Sequence, residues 1–258
     1  MKQKLTLVKV GGKIVEESSS LQQLLAGFMK IEGHKILVHG GGRSATAVAT
    51  RLGIESKMVN GRRITDESML EVVTMVYGGL VNKKIVASLQ AMGLNAMGLT
   101  GADLNYMVSE QRPVGEVDYG YVGDVKKVNA GILADLIAQD VVPVLAPLTH
   151  NGKGTLLNTN ADTIAGEAAK ALAAYFDVTL LYCFEKKGVL ADENDDDSVI
   201  ETITPPLFSD YVAKEVIKGG MIPKLENAFA ALHAGVSKVV ITRADRLGIS
   251  EGTTILLN

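Results

Sequence analysis

One cysteine in 258 residues, Cys183, leaves the chain with nothing to form an internal disulfide. It stands inside an apolar run, where a lone thiol serves as a small buried side chain in a reducing compartment, and the chain is accordingly expected to be cytoplasmic. Cationic charge is scarce as well: 26 Lys and Arg face 29 Asp and Glu, for a net charge of −3 and a pI near 5.9. Nucleic acid requires a clustered basic face, so no nucleic-acid partner is expected. No apolar run approaches the ~18 residues a bilayer demands, and the amino terminus lacks the cationic and apolar regions of a signal peptide, so no membrane partner is expected either. Two nucleotide fingerprints are also missing. Neither GxxxxGK[ST] nor a GxGxxG after a strand is present, so neither a P-loop nor a nicotinamide dinucleotide site is supported.

Glycine is what the chain has in excess, 27 of 258 residues, about a tenth against a usual ~7%. Much of the excess lies in GG and GGG clusters that follow apolar runs. Thr6-Leu7-Val8-Lys9-Val10-Gly11-Gly12-Lys13 reads as a buried strand carrying one lysine to a glycine turn, and Ile36-Leu37-Val38-His39-Gly40-Gly41-Gly42 repeats the idea. Glycine turns leave backbone N–H groups uncovered, and two of them suggest a phosphate site.

The remainder alternates strands with helices. Ser18 to Ser20 are expected to cap a helix with apolar residues at Leu21, Leu24, Leu25 and Phe28, ending at Gly33. A second helix is expected over 43–52, a hairpin around Asn60-Gly61 over 57–64, and a long helix capped by Asp66 to about Met92 with a weak point at Gly78-Gly79. Residues 94–99 and 141–145 read as buried strands, 106–128 as an irregular antiparallel excursion, and Asn129 as a helix cap. Asn158-Thr159-Asn160-Ala161-Asp162 opens another helix, 177–182 is a strand, and 193–198 a solvated acidic loop whose spacing does not match a calcium-binding loop. Helices over 205–218 and 222–234 and strands over 238–242 and 253–257 follow. Such alternation indicates a single-domain, doubly wound α/β protein: a three-layer α/β/α sandwich with a mainly parallel central sheet. Its amino-terminal half (about 1–157) and carboxy-terminal half (about 158–258) are expected to serve different ligands.

No nucleophile-base pair stands out. His39 has no evident serine or cysteine partner and reads as a satisfied strand-end histidine rather than a base. Lys9, in mid-strand, must either snorkel out or meet an anion. Lys224 follows Gly219-Gly220-Met221-Ile222-Pro223, where a helix start puts a cation beside free N–H groups. Arg62-Arg63 is either a solvated pair or a carboxylate clamp. Asp162 either complements a helix dipole or sits between the lysines as a counter-charge.

The order of these motifs resembles the amino acid kinase family, and within it the branch that phosphorylates the side-chain carboxylate of an N-acylated glutamate. The resemblance runs through Lys9-Val10-Gly11-Gly12, Val38-His39-Gly40-Gly41-Gly42, Asn60-Gly61-Arg62-Arg63-Ile64-Thr65, Asn82-Lys83, Asn158 to Asp162, and Gly220-Met221-Ile222-Pro223-Lys224. It implies that Lys9 and Lys224 neutralise the phosphoryl group in flight and that Asp162 orients both. It implies further that Gly41, Gly42, Arg63 and Asn158 hold the acylated substrate. ATP would lie over the carboxy-terminal half near Gly188 and Met221, with Gly11 and Gly12 at its phosphates, and Mg2+ would arrive on the nucleotide without a metal site of the protein's own. The family usually carries Ser/Thr-Asp-Val-x-Gly beside the nucleotide. Here that segment reads Tyr182-Cys183-Phe184-Glu185-Lys186-Lys187-Gly188-Val189-Leu190, with Glu185 as its acidic residue. The chain starts at its first strand, without the extra amino-terminal helix of hexameric, arginine-inhibited members, so a homodimer insensitive to arginine is expected.

Overall fold

Branched apolar runs that stop at glycine become the central sheet. The computed structural model describes residues 2–59, 61–247 and 252–258. Eight strands lie in the order Thr202–Ile203, Thr253–Ile255, Lys238–Arg243, Asp177–Phe184, Lys4–Val10, His34–His39, Val142–Leu145 and Ala96–Leu99. Neighbours run parallel throughout, except that Lys238–Arg243 and Thr253–Ile255 are antiparallel.

Alternation along each strand sorts side chains between two cores. Leu5, Leu7, Ile36, Val38, Leu180 and Tyr182 pack with the helices Ala130–Ala138, Ala161–Leu172 and Met221–His233. Val8, Val10, Leu37, Val144 and Cys183 pack on the other side with Ser18–Met29, Gly42–Arg51 and the helical run from Glu67. Both faces are covered, which is why the strands read as unbroken apolar runs. The result is the expected α/β/α sandwich.

Several local expectations shift. Ser18 to Ser20 lie inside the first turn of Ser18–Met29 rather than capping it; Glu17 holds the cap position, and the one-turn helix Gly12–Glu16 runs straight into it. Leu21, Leu24, Leu25 and Phe28 are buried as their spacing requires. Asp66 does cap its helix, its carboxylate accepting the Met69 N–H at 2.8 Å. Gly78-Gly79 does not break that helix: Thr74–Val81 widens into a π-helix between Glu67–Val73 and Asn82–Ala91. The whole run Glu67–Ala91 is long and apolar enough, by length and composition, to cross a membrane, yet its Met69, Val72, Val73, Val76, Ile85 and Leu89 are buried in the core.

The excursion over 106–128 is antiparallel as expected, Met107–Gln111 against Gly123–Val128, and two unforeseen strands, Leu148–His150 and Leu156–Asn158, extend it to a four-stranded sheet. Asn129 precedes its helix without a side-chain cap bond, and the helix from Pro205 ends at Ala213. Met58–Val59 pairs with Arg62–Arg63 in the expected hairpin; Asn60 of its turn lies outside the described residues. The acidic loop is solvated, with Lys186 and Lys187 paired to Asp196 and Asp197 across it.

Candidate active site

Lys9 follows Leu5 and Leu7 on one face of the central strand, next to Tyr182 in register. At 6% exposed it cannot snorkel out, and an unpaired ammonium there would be costly. Asp162 Oδ1 stands 2.7 Å from its Nζ. The aspartate sits in the first turn of Ala161–Leu172, where the Asn160 side chain accepts the N–H groups of Asp162 and Thr163 at 2.8 and 3.2 Å and fixes the helix start. Asp162 thus lies at the positive end of a helix and is the counter-charge of Lys9, while among the described residues Lys224 makes no ion pair with it.

Lys224 arrives from the opposite end of the chain, in the first turn of Met221–His233. Its Nζ is 4.1 Å from the Phe184 ring centroid, and that of Lys9 is 5.1 Å from the same centroid. Burial lowers the Lys224 pKa; Asp162 pulls it back up and Lys9 pushes it further down. Residues 9, 162 and 224 therefore share one small space.

The glycine turns abut because their strands are adjacent. The Gly40 N–H donates to Val10 C=O at 3.0 Å, and a Cβ on Gly40 would approach the Gly12 nitrogen to 3.1 Å. A Cβ on Gly41 would come within 2.9 Å of Tyr77 Cδ1, closer than real contacts allow. Gly42 opens the helix Gly42–Arg51, whose first-turn N–H groups lack intrahelical partners; that of Ser44 is taken by Glu16 Oε1 at 2.6 Å.

Three cavities meet around these elements. One of about 190 Å3 is lined by Gly41, Gly42, Arg62, Arg63, Asn158 and Tyr77, among others. A larger one, about 590 Å3, is walled by Phe184, Gly188, Leu190, Ile217, Met221 and Lys224. Gly11 and Gly12 line neither. They border a third space of about 270 Å3 with Lys13, Arg43, Phe184 and Glu185, so the grouping of Gly11 and Gly12 with Gly188 and Met221 is not reproduced as one cavity.

Arg63 is not a free clamp. It is 7% exposed, and its guanidinium donates to Gly42 C=O at 2.7 Å, to Thr46 Oγ1 at 3.0 Å and to Ser56 Oγ, bracing the glycine turn, while Arg62 beside it is exposed. Asn158 Nδ2 donates to Thr65 Oγ1 at 2.9 Å. Glu185 pairs with Lys13 at 2.8 Å and stands 4.0 Å from Arg43; these side chains are exposed, so the pairing contributes little to stability. Sequence reasoning also passed over Arg112, whose guanidinium on the smaller cavity's wall holds the Asp124 carboxyl below the usual carboxylate range. Asp124 stands opposite Glu110 in the antiparallel pair, and Arg112, just past the end of Met107–Gln111, reaches it diagonally, a relation that only the register reveals.

His39 is fully buried and satisfied, as its strand-end position suggested. Its Nδ1–H donates to Gly40 C=O at 2.7 Å and its Nε2 accepts from Asn82 Nδ2 at 3.1 Å. Burial lowers its pKa from 6.5 to about 4. A depressed histidine pKa stabilises the fold above the unfolded value, and that stability is lost as pH falls toward the folded one. Between about pH 7 and about pH 4.5 His39 is expected to cost about 2 kcal/mol. Urea midpoints at the two pH values check this: His39→Gln should show a shallower acid loss, and an equal loss in both proteins would contradict it. Burial also pushes the Cys183 thiol up to about 12, which leaves it unreactive.

Paired cations at glycine turns, on a mostly parallel sheet, define a phosphotransferase class. Residues 4–243 match the sequence profile described as the Amino acid kinase family, and the chain belongs to that family. Among its relatives, an acetylglutamate kinase of Phocaeicola vulgatus is 71% identical over 255 residues, covering 99% of both chains. An acetylglutamate kinase of Cytophaga hutchinsonii is 54% identical over 256 residues, covering 98% of this chain and 97% of that one. Among solved structures, a carbamate kinase from Giardia lamblia bound to AMP-PNP superposes with a TM-score of 0.69 at 15% identity, covering 99% of each chain, a likeness of fold.

Proposed function

We propose that the protein catalyses ATP-dependent phosphorylation of the side-chain carboxylate of N-acetyl-L-glutamate, giving N-acetyl-L-glutamyl 5-phosphate, a step of arginine biosynthesis. The acetylglutamate kinases that match nearly the whole chain support this reading, and the observation that carries it is the convergence of Lys9, Asp162 and Lys224. A carboxylate acceptor arrives already ionised, so the site needs positive charge and positioning more than a base. At an effective dielectric near 20, each cation ~4 Å from a phosphoryl oxygen contributes up to about 4 kcal/mol before desolvation. Lys9 and Lys224 supply that charge, and Asp162 keeps the Lys9 ammonium in place.

The acylglutamate would occupy the smaller cavity, against Gly41, Gly42, Arg63 and Asn158. The larger cavity suits a nucleoside triphosphate: apolar walls at Val189, Leu190, Ile217 and Met221 for a base, and the Lys224 ammonium toward the phosphates. Magnesium carried by ATP would spread the charge of its phosphate oxygens. Gly11 and Gly12 offer amides at the junction, and the amino- and carboxy-terminal halves divide the acceptor and the nucleotide between them. Arg63→Ala is expected to raise the KM for N-acetylglutamate by about tenfold, because the brace under Gly42 goes with it. An unchanged KM would show the acceptor to be oriented otherwise.

Trapping the acyl phosphate with hydroxylamine tests the activity: ATP-dependent hydroxamate should form with N-acetylglutamate, and its absence would refute the reading. One observation favours a second acceptor, N-succinyl-L-glutamate. Arg62 lines the same cavity, exposed and able to meet an additional carboxylate. Side-by-side turnover of the two acylglutamates decides between them. The protein is further proposed to be a cytoplasmic homodimer that arginine does not inhibit, which light scattering and an arginine titration would check.

A further inference from the structure

The Lys9 ammonium has its counter-charge, but the Lys224 ammonium forms no ion pair among the described residues. What it meets is an aromatic face. Its Nζ stands 4.1 Å from the Phe184 ring centroid, and Lys9 Nζ stands 5.1 Å from the same centroid. Phe184 ends the Asp177–Phe184 strand, and alternation puts it on the side of Val178, Leu180 and Tyr182, the side on which Lys9 emerges from the neighbouring strand. The Tyr182 ring backs it, centroids 6.1 Å apart and planes within 9°. Phe184 also borders both the larger cavity and the space beside Gly11 and Gly12, so it stands where the two meet.

We infer that Phe184 is a positioning residue for the transfer, its ring face steadying both ammonium groups beside the path of the phosphoryl group. This rests on the kinase reading above and extends it to one more side chain. The electrostatic reason is specific. Two ammonium groups and one carboxylate leave an excess of one positive charge for an incoming phosphate. A second carboxylate would fix Lys224 just as firmly, but it would cancel that excess. A π face attracts the cation through its quadrupole and carries no net charge, so it orients Lys224 while leaving the site cationic.

Kinetics of the full-length chain separate this from a mere wall role. Phe184→Leu keeps an apolar side chain without the ring and should lower kcat about tenfold, with the KM for ATP and for N-acetylglutamate within about twofold of wild type. Phe184→Tyr keeps the ring and should restore kcat to within about twofold. An unchanged kcat in Phe184→Leu, or a loss confined to the KM for ATP, would overturn the inference. An arm independent of activity uses proton NMR. The ε-methylene protons of Lys224, assigned by their loss in Lys224→Ala, should lie upfield in the wild-type and Phe184→Tyr proteins through the ring current. Ordinary shifts in those two proteins would overturn the inference as well. Should the wild-type protein form no hydroxamate from ATP and N-acetylglutamate, the kinase reading falls; should wild type turn over and Lys9→Ala and Lys224→Ala be inactive while Phe184→Leu turns over normally, only the role of Phe184 falls.

Discussion

Lys224→Ala is expected to lower kcat by about 10²–10³-fold while leaving the KM for N-acetylglutamate within about twofold. The loss follows from where the ammonium sits. It lies on the wall of the larger cavity, half-buried, with its pKa lowered chiefly by that burial, so its field is little screened by water. Charge on the transferring phosphoryl group is greatest in effect where preorganised cations face it, and removing one such group removes stabilisation made in the transition state rather than in the bound ground state. Steady-state kinetics report the split directly. A variant with wild-type kcat and a raised KM would make Lys224 a binding group only.

The second large effect is on stability as well as rate. Asp162→Ala should destabilise the protein by about 3 kcal/mol, because it leaves the Lys9 ammonium, 6% exposed, without its counter-charge. Turnover should fall with it, since nothing then holds that ammonium in register. Lys9→Met provides the contrast. A methionine fills the space with apolar atoms and leaves a carboxylate that is a quarter exposed and at a helix N-terminus, so stability should stay within about 1 kcal/mol of wild type while activity is lost. Denaturant melts of the two variants side by side check the pair of expectations. Equal stability for Asp162→Ala and wild type would mean that Lys9 is not held by Asp162.

Much of this arrangement is legible in one dimension because it rests on local rules. A lysine in an apolar strand, glycines at strand ends and an asparagine ahead of a helix each state a requirement that the fold then meets, as Lys9, Gly41 and Asn160 show. What could not be read is pairing at a distance. Phe184 looks like any aromatic at the end of a strand until the parallel register sets Tyr182 beside Lys9 and brings the Phe184 ring, two residues on, to the Lys9 ammonium, and Glu185 meets Lys13 from 172 positions away. Arg63 was readable as a cation near an acceptor but not as a brace, because its partners at Gly42, Thr46 and Ser56 belong to other elements. The strands Leu148–His150 and Leu156–Asn158 are three residues each, too short for an alternation to show. The π-helical stretch Thr74–Val81 keeps an apolar helical pattern, so periodicity registered only glycines where the helix in fact widens.

A crystal structure with ADP, magnesium, a planar phosphoryl mimic and N-acetylglutamate measures the decisive quantity, the reach of two nitrogens to one anion. The Nζ atoms of Lys9 and Lys224 should both lie about 3 Å from oxygens or fluorines of the mimic. A mimic seated in line between the two substrates, with either ammonium turned toward another cavity, would contradict the account.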